Sequence, residues 1–288
     1  MAPVELLSIG ATLALNAGFA WLAGSLLTRI WLSGAPASLL EQCARRLRLG
    51  EIVAALVCLV GSLLEIATDT IMMVDAHWTK GLTMLPDVLT QTGFGHSALA
   101  AMALAALLLV TPRRRWWPMR AALLLAFALA RASMSHAAEH GLLSASVAIE
   151  CLHLVLIGVW LGAVALSGWI VLPQAVRERG PLWPYLSQLS RGATIALGGI
   201  VATGVFNTWQ RIDSPNQFVD SDYGVALTFK LALFGIAVLL GAYNRYVGFP
   251  KLARNDGGRA LMVLRVESMV LLSALAAAAV LSSQAPPG

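Results

Sequence analysis

Apolar residues fall along this chain in eight runs of about 20, the length that carries an α-helix across the roughly 30 Å hydrocarbon core of a bilayer. The runs cover about 4–28, 50–74, 93–111, 118–135, 145–171, 188–208, 224–247 and 262–283. The two longest connections, 29–49 and 75–92, are too short to hold a soluble domain. Backbone groups find no partner in lipid, so each run must close on itself as a helix. The pattern predicts an all-α membrane protein, one domain built as a polytopic bundle of eight transmembrane helices. The opening MAPVELLS lacks a basic flank, and the apolar run after it is too long for a secretory signal, so it reads as a retained first span.

Charge fixes the expected orientation. Of the 20 basic residues, 16 lie in or beside the connections after spans one, three, five and seven. The clusters are Arg29, Arg45, Arg46 and Arg48; Arg113, Arg114, Arg115 and Arg120; Arg177, Arg179 and Arg191; and Arg245, Lys251, Arg254, Arg259 and Arg265. The even-numbered connections hold only Lys80 and Arg211, among Asp75, Asp87, Asp213, Asp220 and Asp222. Basic loops stay cytoplasmic, so both termini and connections two, four and six are expected outside, in the periplasm of a bacterial inner membrane.

Composition agrees with lipid as the solvent. Hydrophobic residues make up 58% and charged residues 12% of the 288, against roughly 25% charged in soluble domains, and the mean hydropathy is +0.74. The net charge of +5 comes from short loops and argues for no nucleic-acid partner. Cys43, Cys58 and Cys151 are far apart and form no CxxC, so they give neither a disulfide framework nor a zinc site.

Ionisable residues inside the spans carry the candidate chemistry, because such groups are costly in a membrane. They are Glu65 and Asp69 in span two, His96 in span three, Arg131 in span four, Glu150 and His153 in span five, and Lys230 in span seven. At about 1.5 Å per residue, Glu150 and Asp69 lie roughly 8 Å below the outer surface, His153 roughly 12 Å and Glu65 roughly 14 Å. All of them fall in the outer half, beneath a rim formed by SMSHAAEHG (133–141), which adds His136 and His140. Glu150 and His153 share a helix face at i, i+3, and Glu65, Asp69, Met72 and Met73 share another at i, i+4, i+7, i+8. Imidazole, carboxylate and thioether together suit copper, whereas calcium or magnesium would want more oxygen. Arg131 and Lys230 are expected to neutralise some of Glu65, Asp69 and Glu150. Cysteine 151 lies on a different face. Gly158 and Gly162 would let a neighbouring helix approach closely, and Trp160 could floor the site. Near the cytoplasmic face, Glu51, Asn244, Arg245 and Glu267 read either as helix-end ion pairs and snorkelling groups or as the lining of an inner exit.

Several stretches together resemble the bacterial copper-resistance membrane family CopD, also called PcoD. They are SHAAEHG, HLVLIGVWLGA (153–163), LSRGATIALGGIVATGVFNTW (189–209), YGVALTFKLALFGIAVLLGAYNR (223–245) with FPKL after it, and LRVESMVLLSALAAAAVL (264–281). Spans one to three share only hydropathy and TGFG (92–95). The resemblance implies an eight-helix inner-membrane protein of copper homeostasis that takes copper from the periplasmic side, often with a small copper-binding partner of the CopC type. Span one has no histidine, methionine or arginine in its outer half below the terminus, which argues against a contribution from it.

The leading expectation is therefore a copper-handling transporter or channel, not an enzyme, with no GxxxxGK[ST] nucleotide motif. The alternatives are a b-type haem electron carrier ligated by His96 and His153, and a scaffold that binds copper without moving it.

Overall fold

The computed structural model describes residues 2–73, 78–111, 116–135, 137–138, 141, 144–178, 182–211, 221–254 and 258–284. Among them there is no strand. Helix α1 (Pro3–Trp31) starts on a proline, with the Glu5 carboxylate accepting the Ala2 N–H at 2.8 Å. It is followed by α2 (Ala37–Met73), α3 (Trp78–Gln91), α4 (Gly93–Val110) and α5 (Trp117–Ala132). Then come α6 (Ala145–Leu166), a π-helical segment (Ser167–Val171), α7 (Leu172–Glu178) and α8 (Trp183–Trp209). The chain continues through α9 (Asp222–Tyr243), a second π-helical segment (Asn244–Gly248), α10 (Phe249–Ala253) and α11 (Gly258–Ser282). The sequence caps several starts: the hydroxyls of Thr92, Ser144 and Ser221 accept the N–H groups of Gly95, Val147 and Gly224.

Among the described residues, seven helical stretches are long and apolar enough to cross a membrane. The eighth expected span, 118–135, is α5, whose 16 residues reach only about 24 Å. Past its end the backbone goes into a turn, Met134 N–H to the Arg131 carbonyl and Ser135 N–H to the Ala132 carbonyl, with the Ser133 and Ser135 hydroxyls on the carbonyls of Leu129 and Ala132. Two connections are more ordered than hydropathy implied. Most of 29–49 belongs to α2, which buries Leu39, Cys43 and Leu47 at i, i+4, i+8 and leaves the polar residues between them outward. Most of 75–92 is α3, an amphipathic helix too short to span, with Pro86 inside it.

Helices α1 and α6 form the middle of the bundle. Helix α1 packs on α2 and α6; α6 also packs on α5, α8 and α11; α9 pairs with α11. The α1–α6 contact is backbone against backbone. A Cβ on Gly162 would run into the Ala20 carbonyl oxygen, and one on Gly24 into the backbone of Gly162. A Cβ on Gly158 would come within 2.7 Å of the Phe19 ring. Gly158 and Gly162 are the glycines expected to admit a neighbour, and the neighbour is α1. The three cysteines are free and buried.

Candidate functional site

Polar rows on three helices meet in a cavity of about 480 Å³. Helix α2 contributes Glu65 and Asp69, with Met72 and Met73 beyond them, and α6 contributes Glu150 and His153. Arg131 reaches in from α5 and Lys230 from α9. The sequence reading missed the third row, Ser8, Thr12 and Asn16 of α1. Their i, i+4, i+8 spacing was visible, but hydroxyls and amides carry no charge and did not stand out in an apolar run. The Ser8 hydroxyl donates to Asp69 Oδ1 at 3.2 Å, and the Thr12 hydroxyl donates to Glu65 Oε1 at 3.1 Å. The expectation that span one stays out of the site is thereby corrected: it has no metal-ligating side chain there, yet it orients two carboxylates.

The expected charge balance is met in one place. Arg131 Nη1 is ion-paired with Glu65 Oε2. Asp69 has no ion pair among the described residues. Lys230 and Glu150 line the same space without touching as an ion pair.

A second cavity, about 520 Å³, opens beside the first. Glu150, His153, Arg211 and Lys230 line both, and Trp160 lies farther along the second. Trp160 is 4% exposed and meets Phe234 edge to face. His153 is 7% exposed, and its Nδ1 lies 2.7 Å from the Thr203 hydroxyl. That hydroxyl donates its own proton to the Gly199 carbonyl, at 2.7 Å. When that proton goes to Gly199 the hydroxyl accepts from the ring, and in that tautomer the proton sits on Nδ1 and Nε2 carries the lone pair. This is the arrangement by which a hydrogen-bonded neighbour orients a metal-binding imidazole. One turn away, Asn207 Nδ2 donates to Glu150 Oε2 at 2.7 Å. Thr203, Asn207 and Arg211 are again i, i+4, i+8; the sequence reading passed over Thr203 and Asn207 for the same reason as the α1 row and placed Arg211 in an outer connection. Cys151 faces elsewhere, its thiol 4.0 Å from the Leu125 carbonyl on α5.

His96 is not brought to this place. It is exposed in the first turn of α4, with Nε2 3.0 Å from the Thr90 carbonyl, and it lines neither cavity. Its role as haem partner to His153 gains no support from this placement. His136 and His140, the expected rim ligands, and His77 lie outside the described residues. Among the described residues, no three His, Cys, Asp or Glu side chains gather closely enough to hold a metal ion.

At the other end of the bundle Glu51, 2% exposed, accepts from Ser25 at 2.6 Å and from Arg29 at 2.7 Å. Arg120 stands 3.9 Å from it and also donates to the Leu108 and Thr111 carbonyls that end α4. The ion-pair reading therefore holds for Glu51. Glu267 and Asn244 belong to a different, smaller cavity.

Comparison with known proteins bears on this geometry. The family model described as "Copper resistance protein D-like, N-terminal domain" matches residues 2–145, and "Copper resistance protein D" matches residues 184–281. A protein named "Copper resistance protein D" from Pseudomonas syringae pv. tomato is 36% identical over 110 residues, 36% of this chain and 35% of that protein. "Copper transport protein CutJ" from Bacillus subtilis (strain 168) is 29% identical over 163 residues, 55% of this chain and 29% of that protein. The chain spans about a third of the length of these curated relatives. No solved structure matches it. Half of the chain falls to one family model and a further stretch to the other, so this helical, multi-pass membrane protein belongs to the copper resistance protein D family.

Proposed function

We propose that the chain takes up copper from the outer side of a bacterial inner membrane at His153 and Glu150 and passes it inward between the helices, as a transporter and not as an enzyme. The observation that carries this reading is His153, buried and held through Nδ1 by Thr203, on the wall common to two adjoining cavities. Copper is the cargo. Imidazole and carboxylate suit it in either oxidation state, and Met72 and Met73, on the wall of the outer cavity, suit Cu(I). The similarity to proteins named for copper resistance and copper transport favours the same cargo here.

In this reading the bundle is one domain with eight spans, α5 being a short one braced by its neighbours. Both termini face the periplasm, His136 and His140 hand copper down from the rim, and a small periplasmic protein of the CopC type delivers it.

Two measurements test the reading. Purified protein should hold copper by elemental analysis, and proteoliposomes containing it should take up copper where protein-free vesicles do not. Bound copper without uptake would leave a scaffold, and a Soret band on the purified protein would point to haem instead. Reporter fusions at residues 80, 140 and 217 should all behave as periplasmic. A cytoplasmic signal at any one of them would break the eight-span topology.

A further inference from the structure

A third cavity, about 230 Å³, lies between α6, α8, α9 and α11, and Trp160 is the residue it shares with the 520 Å³ cavity that holds His153. On its far side is Glu267 of α11, 2% exposed. The Trp160 indole N–H donates to Glu267 Oε1 at 3.2 Å. Gly241 of α9 packs directly against the same carboxylate, and a Cβ there would come within 3.2 Å of Oε1. Asn244, the first residue of the second π-helical segment and 1% exposed, lies near enough to interact with Glu267, yet neither of its amide atoms completes a hydrogen bond. π-Helical turns within α-helices recur at functional sites.

Glu267 has no ion pair among the described residues. The other titratable groups lining this cavity are Arg245 and Tyr246. Arg245 is engaged by the hydroxyls of Ser190 and Thr194 on α8, and Tyr246 is largely exposed. Arg265, on Glu267's own helix, donates to the Gly168 carbonyl at 3.1 Å and lies over the Trp169 ring. A buried carboxylate without a counter-charge must take up a proton or a passing cation. Among the described residues no histidine, methionine or cysteine lines the cavity, so it offers copper no nitrogen or sulfur ligand beside the one carboxylate.

We propose that Glu267 is the proton-exchange group of this membrane protein, carrying a proton that moves against copper. The proposal rests on the transport reading given above. One carboxylate balances one positive charge at a time. When copper passes Trp160, the Glu267 O–H bond breaks and its proton leaves by the cavity that copper has vacated. Once copper is gone, the carboxylate takes a proton from the opposite side. Copper and protons therefore cross in opposite directions.

The test uses the full chain in proteoliposomes with a pH dye inside. In wild type, copper entry should raise the internal pH in proportion to the copper taken up, and an imposed pH gradient should change the extent of accumulation. Glu267→Gln should still move copper down its own gradient, with the dye silent and the response to the pH gradient lost. An unchanged proton-to-copper ratio in Glu267→Gln overturns the assignment, as does wild-type copper flux with no proton movement. Absence of any wild-type copper flux removes the transport reading itself, and the coupling with it. Should Glu267→Gln fail to insert, Trp160→Phe keeps the ring and removes the donor to Oε1. Read as protons per copper moved, it should displace the pH dependence of coupling, and an unshifted pH profile there also counts against Glu267.

Discussion

Replacing His153 with alanine should abolish copper binding while leaving a protein that still folds and inserts. Among the described residues that line the two adjoining cavities, His153 is the imidazole, and it is buried and held through Nδ1 by Thr203. Removing it leaves Thr203, whose hydroxyl stays satisfied by the Gly199 carbonyl, so no buried polar group is orphaned. Thr203→Val tests the same site one step removed. Without its acceptor, Nδ1–H no longer fixes the ring, and affinity for copper should fall about 10- to 100-fold, the usual effect of losing a partner that orients a metal ligand. Cys151→Ala should matter little, because that thiol points at α5. Copper per protein on the purified variants, with a competition titration for Thr203→Val, is the measurement. Unchanged stoichiometry in His153→Ala would reduce the histidine to a packing residue.

The second large effect is on stability. Glu65 is 5% exposed and is held by Arg131 and by the Thr12 hydroxyl. Arg131→Ala leaves that carboxylate buried without its counter-charge, a change that costs about 3–5 kcal/mol when a buried pair is broken from one side. Folded yield and thermal midpoint should drop sharply. Removing both charges, as in Arg131→Met with Glu65→Leu, should recover most of the loss, since apolar replacements of a whole buried pair are often close to neutral. Lys80→Ala, on the exposed face of α3, is the control and should change little. If Arg131→Ala is as stable as Lys80→Ala, the pair is not buried as described.

Much of this was legible in sequence because the membrane imposes a simple rule. Long apolar runs gave the helices, and charged residues within them gave Glu65, Asp69, Arg131, Glu150, His153 and Lys230, which the structure gathers around one cavity. What sequence could not supply is which faces meet. His96 looked equivalent to His153 as an intramembrane histidine, but it sits in a capped first turn beside the Thr90 carbonyl. Period alone does not say whether a turn is inside the bundle. Thr203 and Asn207 matter through their partners, 50 and 57 residues away, and their importance is invisible until those partners are adjacent. Helix α3 was read as a loop because the test applied was length to cross a membrane, and an amphipathic helix of 14 residues fails that test without ceasing to be a helix.

The glycine contact between α1 and α6 decides where this molecule has freedom to move. Backbones in direct contact at Gly24 and Gly162 bring α1 and α6 close along their length, and α1 also packs on α2, so these three helices are expected to move together. His153 and Glu150 ride on that block. Thr203 and Asn207, which hydrogen-bond to them directly, stand on α8, and Lys230 stands on α9 along the same 520 Å³ cavity. In the transport reading, rocking that alternately opens the two sides is expected to fall on α8, α9 and α11, with the His153–Thr203 hydrogen bond at the seam.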